Sequence, residues 1–260
     1  AFQISMEAFE KRLYENSLHE LDYYIQDVRD GLNDVENRSR EMAIDSEIQE
    51  TAIQLSEMGP GTLVYSQTMT NLRWQLVYQN TEESEINGVR YIDPFGNSVE
   101  SAGCPWNIAE DEMERFMELV EASNGEAVMY GPTRDCGYLL CGRKVLRWND
   151  ISLDNLGTLI FFCDVGKIIA NNKEQMEADH SALFVYTDDT MIYQDIQEDL
   201  PPLPRDQDSQ GYRIMIYGGQ RYFMCWMTSS DMGWTYANFF PYSDIYGQVT
   251  TVRNMALFGF

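Results

Sequence analysis

Residues 14–35 read YENSLHELDYYIQDVRDGLNDV, and within them Tyr14, Leu18, Leu21, Ile25, Val28, Leu32 and Val35 recur at spacings that alternate four and three. That alternation keeps apolar side chains on one stripe of an α-helix, because 3.6 residues complete a turn. From Met6 to Leu55 there is no proline and a single glycine, and Glu15, Glu20, Asp22 and Arg29 fall between the stripe positions. The pattern predicts a helix of unusual length, closed by Gly59-Pro60-Gly61. Periodicity does not identify what the stripe packs on. A seam between two copies and a face laid on the chain's own core fit it equally.

Beyond the break the sequence divides into short elements. Leu63 to Gln79 is mixed in pattern, and Met69 to Val77 suits either a helix or a strand. Gly88 to Val99 reads as a hairpin, with Asp93-Pro94 and Gly96-Asn97 supplying the turn. Ile108 to Ala122 places Met113, Phe116, Met117 and Val120 at helical spacing among acidic residues, and Asn124-Gly125 closes it. Ala127–Tyr130, Tyr138–Trp148 and Leu156–Val165 have the length and apolar content of strands. A helical stretch, Lys167 to Asp179, then leads to a second hairpin, Leu183 to Tyr193, and to three more strands over Tyr212–Tyr217, Gln220–Thr228 and Gly233–Phe240. Both alternating faces are apolar in Tyr222 to Met227, which predicts a central strand covered on each side. Ser243 is placed to cap a final helix.

The balance of 18 basic against 42 acidic residues leaves a net charge of −24 over 260 residues. Such a field repels phosphate backbones and anionic lipid, so nucleic acid is not an expected partner. No stretch reaches the roughly 20 apolar residues of a membrane span. Residue 1 is not Met and the last residues turn apolar, so both ends read as trimmed. Five cysteines show no paired spacing; Cys136 and Cys141 are near enough to bridge, but free, buried thiols are favoured.

The order of these elements resembles the double Cache family, the extracytoplasmic sensors of bacterial receptors. The likeness rests on Arg143 to Val165, on the hairpin Phe184 to Tyr193, and above all on Gly233-Trp234-Thr235-Tyr236 followed by Pro241-Tyr242-Ser243-Asp244-Ile245-Tyr246. It implies an α+β fold in which a long N-terminal stalk helix (residues 1–58) precedes two PAS-like modules, each an antiparallel sheet flanked by helices. The membrane-distal module would span residues 59–170, and the membrane-proximal one, with the start of a C-terminal helix, residues 171–260. It further implies an extracytoplasmic segment of a membrane receptor such as a histidine kinase, chemoreceptor or membrane-bound transcription regulator. Membrane spans are expected on both sides, a homodimer through the N-terminal helix is an option, and no cofactor is implied. Members that bind amino acids carry an Arg, a nearby Trp-Tyr pair and a later Asp; here Asp164 is in place and the Trp-Tyr pair is missing.

Alternation puts Asp164 on a strand face with Ile160 and Phe162, where a carboxylate needs a cationic or hydrogen-bonding partner. An amine ligand would supply one; so would a local Arg or the cap of the strand end. Tyr130, Arg134, Tyr138 and Trp106 are the candidates for the rest of a distal small-molecule pocket, since aromatic walls with few polar groups suit such ligands. Trp226 and Trp234 are expected to be core. Asp206 to Gly211 matches the opening of a calcium loop, but Tyr217 occupies the position that wants a bidentate Glu, so no metal is expected. The two histidines, His19 and His180, have no nucleophile near them in sequence, and no catalytic motif is present, so no enzyme is expected. A hydrolase working through a carboxylate pair and an adhesin-type module are the alternatives.

Overall fold

The computed structural model describes residues 2–80, 85–134, 137–147, 153–175, 181–196, 201–205 and 208–243. The long helix is α1, Phe2–Ile44, followed at once by α2, Ser46–Met58. The single predicted helix is broken at Asp45, whose carboxylate accepts from the backbone N–H groups of Glu47 and Ile48, both at 3.0 Å. An aspartate that can satisfy the free donors of a new first turn favours a restart over continuation. The open stretch after Gly61 is a helix, α3 (Leu63–Gln79), capped by the Thr62 hydroxyl on Tyr65 N.

Two five-stranded antiparallel sheets follow. The first contains β1 (Ile86–Ile92), β2 (Ser98–Glu100), β3 (Val128–Tyr130), β4 (Tyr138–Leu146) and β5 (Asn155–Asp164), in the order β2-β1-β5-β4-β3. The helix α4, Glu110–Ala122, lies between β2 and β3 in the chain. After α5 (Val165–Gln175) comes the second sheet: β6 (Ala182–Tyr186), β7 (Met191–Gln194), β8 (Gln210–Tyr217), β9 (Gln220–Thr228) and β10 (Thr235–Pro241). Its order is β7-β6-β10-β9-β8, the same winding as the first. The expected central strand is β9, flanked by β10 and β8. The fold is therefore α+β, a long helix with two PAS-like modules. The final helix expected beyond Ser243 lies outside the described residues, as do His180 and Cys136.

The chain divides into two compact units, residues 1–28 with 169–260, and residues 29–168. In the first, Leu21, Tyr24, Ile25 and Val28 of α1 are buried, the Tyr14 ring meets Tyr212 at 4.9 Å, and the Tyr242 hydroxyl donates to Glu10 at 2.6 Å. Phe184, Met224, Trp226, Ala237 and Phe239 form the core on one face of its sheet. Trp226 and Trp234 are both buried, in keeping with core roles. In the second unit Leu32 and Val35 are buried, and Arg143 ties α1 to β4 by donating to Ser39 Oγ at 2.9 Å while also donating to the Gly125 carbonyl at 2.7 Å. The stripe on α1 is thus spent on the chain's own core.

Candidate ligand-binding site

Cross-strand register decides which side chains share a face, because residues directly opposite in an antiparallel pair point the same way. Tyr138 lies opposite Asp164, Leu140 opposite Phe162, and Tyr130 opposite Leu140. On the other side of β5, Gly88 faces Phe162 and Arg90 faces Ile160. Asp164, Tyr138 and Tyr130 therefore stand on one face of the first sheet, along with Arg90. The α4 residues Phe116 and Val120 cover the middle of that face, packing with Leu140, Ile160 and Phe162.

At one end of the face β1 bulges between Ile86 and Gly88, leaving Asn87 out of the ladder. A bulge re-aims its side chain, and here the Asn87 amide donates to the Tyr138 hydroxyl at 2.9 Å. The loop after β2 folds over the bulge so closely that a Cβ on Gly103 would stand 2.0 Å from the Asn87 carbonyl oxygen. A cleft of about 390 Å³ opens there, walled by Ile86, Asn87, Ser101, Gly103 and Lys167, with Val77 and Ala102 adding apolar surface. Sites for small organic molecules run from about 300 to 1,000 Å³.

Asp164 is linked to the cleft only through Lys167: its Oδ1 accepts from the Lys167 backbone N–H at 3.1 Å, closing the first turn of α5. The cap weighed against an amine partner is thus present for that oxygen. Tyr138 is held by two bonds to buried Thr133, its N–H reaching Oγ1 at 3.1 Å and its carbonyl accepting from Thr133 N at 2.8 Å. Tyr130 packs deeper, its ring 6.0 Å from that of Phe116. Arg134 turns to α4 instead, pairing with Asp111 at 2.5 Å and with Glu112 at 3.5 Å. The guanidinium holds the Asp111 carboxyl below its ordinary range. Trp106 is 92% exposed. Of the candidate residues none lines the cleft: Tyr138 is linked to it by its bond to Asn87 and Asp164 by its bond to Lys167, Tyr130 shares their sheet face, and Arg134 and Trp106 stand apart.

Asn87, Ser101 and Lys167 were not singled out in the sequence. A bulge depends on pairing between distant strands, and no local signal announces it. Arg90 was missed as well; it pairs with Glu100 at 2.8 Å and sits 5.2 Å over the Phe162 ring, a cation–π contact that keeps it at the sheet surface. Cys104 closes the same loop, with burial pushing its thiol up to about 12. Cys141, Cys163 and Cys225 are buried free thiols. Among the described residues no cluster of His, Cys, Asp or Glu is suited to a metal ion.

No family model matches the chain. The sensor histidine kinase YesM of Bacillus subtilis is similar to it, 21% identical over 262 residues, and the match takes in 97% of this chain. The chain spans 44% of the length of that protein. Among solved structures, the extracellular domain of the histidine kinase vpHK1S-Z8 superposes with a TM-score of 0.57 at 10% identity, covering 92% of this chain and 98% of that one. The ligand-binding domain of the Pseudomonas fluorescens chemoreceptor CtaA, in complex with L-isoleucine, gives 0.54 at 10% identity, covering 95% and 98%. The ligand-binding domain of Mlp24 with asparagine gives 0.53 at 12% identity, with the same coverage. A long helix, two sheets of one winding order and these likenesses across nearly the whole chain give it the fold of the double Cache type of sensor domain.

Proposed function

We propose that the chain is the extracytoplasmic ligand-sensing domain of a bacterial signal-transduction receptor. In this reading it binds a small polar molecule in the cleft beside Asn87, Tyr138, Asp164 and Lys167, and carries no catalysis of its own. The observation that carries the reading is the cleft itself: a small-molecule-sized opening, made by a bulge, on the unit that begins at Arg29. Its walls offer amide, hydroxyl and ammonium groups beside apolar surface, and the nearby Asp164 carboxylate is engaged as the cap of α5, which suits binding better than acid–base cleavage of a sugar by a carboxylate pair. The residues expected to form the membrane-distal module, 59–170, hold the cleft, and residues 171–260 would be the membrane-proximal coupler. The rest of the receptor, including the membrane spans and the output domain, would lie outside this chain. Amino acids occupy the CtaA and Mlp24 domains and belong in any ligand screen.

Binding shifts a receptor only through different affinities for its two arrangements, so the ligand must stabilise one of them measurably. A ligand at a hundred times its Kd adds about 2.7 kcal/mol. The test is a thermal-shift screen of amino acids and other small metabolites against the whole chain. Asn87→Ala should weaken a hit about tenfold, the value of one hydrogen bond. Asp164→Asn keeps an oxygen for the Lys167 N–H but removes the charge, and should weaken an amine-bearing hit further. A hit that both variants leave unchanged would show the cleft is not the site.

A further inference from the structure

The cleft beside the β1 bulge has one sign of charge. Among the described residues its walls hold one basic residue, Lys167, and no acidic one. Glu85, Glu100 and Asp164 are the described carboxylates nearest to these walls in sequence, and none of the three lines the opening. Glu100 pairs with Arg90 at 2.8 Å, and Asp164 turns an oxygen to the Lys167 backbone N–H. In a chain of net charge −24, a wall with a basic residue and no carboxylate is where an anion can settle.

Lys167 also runs against the preference of its own helix. It lies in the first turn of α5, which has no acidic residue, although partial positive charge on the N–H groups there favours one. An anion in the cleft reverses that cost, since it is attracted by the ammonium group. Asn87 gives one amide N–H to the Tyr138 hydroxyl at 2.9 Å, and the same NH2 group carries a second donor. Ser101 is engaged elsewhere: its Oγ accepts from Val89 N at 2.8 Å and donates to the Ala102 carbonyl at 3.2 Å, so it holds the loop. Val77, Ile86 and Ala102 supply apolar surface. The loop is seated by two glycines, because a Cβ on Gly88 would stand 2.6 Å from Cys104 N and one on Gly103 2.0 Å from the Asn87 carbonyl oxygen. A preformed opening needs little ordering when it binds.

We infer that the cleft selects small monocarboxylates. The carboxylate meets the Lys167 ammonium and the Asn87 amide, and a short aliphatic chain lies on Val77, Ile86 and Ala102. An ammonium group on the ligand meets no opposite charge among the described walls, so α-amino acids and amines are disfavoured. The inference rests on the sensor reading above and narrows its ligand class.

Compounds that share one carbon skeleton test this by thermal shift of the whole chain: butyrate, 2-aminobutyrate, butylamine and butyramide. Butyrate at about 10 mM should raise Tm, while the amine and the amide should not. The amino acid should bind about tenfold more weakly than butyrate. Lys167→Gln should weaken butyrate about tenfold, and Lys167→Arg should retain most of the affinity. Lys144→Gln removes the same charge from a pair with Glu121 and should leave butyrate binding unchanged. A larger shift with butylamine or 2-aminobutyrate, lost in Asn87→Ala, would overturn the ligand class and leave the sensing cleft standing. A butyrate shift that ignores both Lys167→Gln and Asn87→Ala would overturn the ligand class and the cleft together. Absence of any butyrate shift would overturn the monocarboxylate assignment, with the sensor reading then decided by the wider screen.

Discussion

Asn238 stands on β10 with none of its surface exposed, and neither end of its side-chain amide has a hydrogen-bond partner among the described residues. It lies opposite Leu183 and Cys225, both buried, so an amide has been placed on an apolar sheet face. A buried polar group without a partner costs about 1–3 kcal/mol. Asp93 shows the alternative treatment of a buried polar group: it accepts from the Tyr65 hydroxyl and from the backbone N–H groups of Phe95 and Asn97, the last at 2.7 Å. Burial, followed by the bond to Asp93 and its negative charge, pushes the Tyr65 hydroxyl up to about 12. Leucine repeats the branched four-atom outline of asparagine with bulkier ends and no polar atoms, so with relief of the unpaired amide outweighing the added bulk Asn238→Leu is expected to raise stability by about 1 kcal/mol. Urea unfolding of both proteins reads this directly as a higher midpoint. A midpoint that falls would mean that the amide is bonded in solution.

Elements whose pattern is one-sided were legible in the sequence, and those whose pattern is not were missed. The helix α4 alternates acidic residues with Met113, Phe116, Met117 and Val120, and it forms within two residues of the expected bounds. The helix α3 mixes apolar residues such as Leu63, Val64, Trp74 and Tyr78 into its exposed side, which blurs the periodicity that separates helix from strand. Asp45 hid the break between α1 and α2, because a cap inside a long periodic run differs by a single residue from an ordinary exposed position. The candidate cleft itself was not legible, for a related reason. Asp164 and Tyr138 lie on strands that alternation orients correctly, whereas Asn87 is aimed by a bulge and Lys167 by the first turn of a helix. How α4 seats on its sheet was not legible at all, and it rests on Gly142: a Cβ there would stand 2.4 Å from Val120 Cγ2 and 2.5 Å from Phe116 Cζ. Gly142→Val should therefore push α4 outward and destabilise the unit by about 1–3 kcal/mol, the usual cost of overpacking. Thermal unfolding of the variant measures it, and an unchanged Tm would show that the helix can shift at no cost.

At the scale of the molecule, the same winding order occurs twice, yet the two sheets are covered differently. In the unit 29–168 α4 lies over the face that carries Asp164 and Tyr138. The second sheet has no counterpart to it among the described residues, and its core face instead receives Leu203 from the proline-rich loop. The repeat was legible from the order of hairpins and strands; the unequal cover was not, because it depends on which distant segment folds back. The chain leaves the first sheet through α5, which begins at Asp164's cap and passes from one unit to the other between Ile168 and Ile169. A ligand in the proposed cleft would touch Lys167, a lining residue in the first turn of that helix. Ordering that turn is the physical step by which occupancy would reach the next unit, since local opening of a helix end is otherwise among the cheapest motions of a fold. Hydrogen exchange with a ligand found by the thermal-shift screen should therefore slow the amides of residues 168–170, along with those of the 101–104 loop. The amides at the middle of α4, already covered by Phe116 and Val120 packing, should change little. Protection confined to the loop, with 168–170 exchanging as before, would separate binding from transmission and rule out α5 as the route.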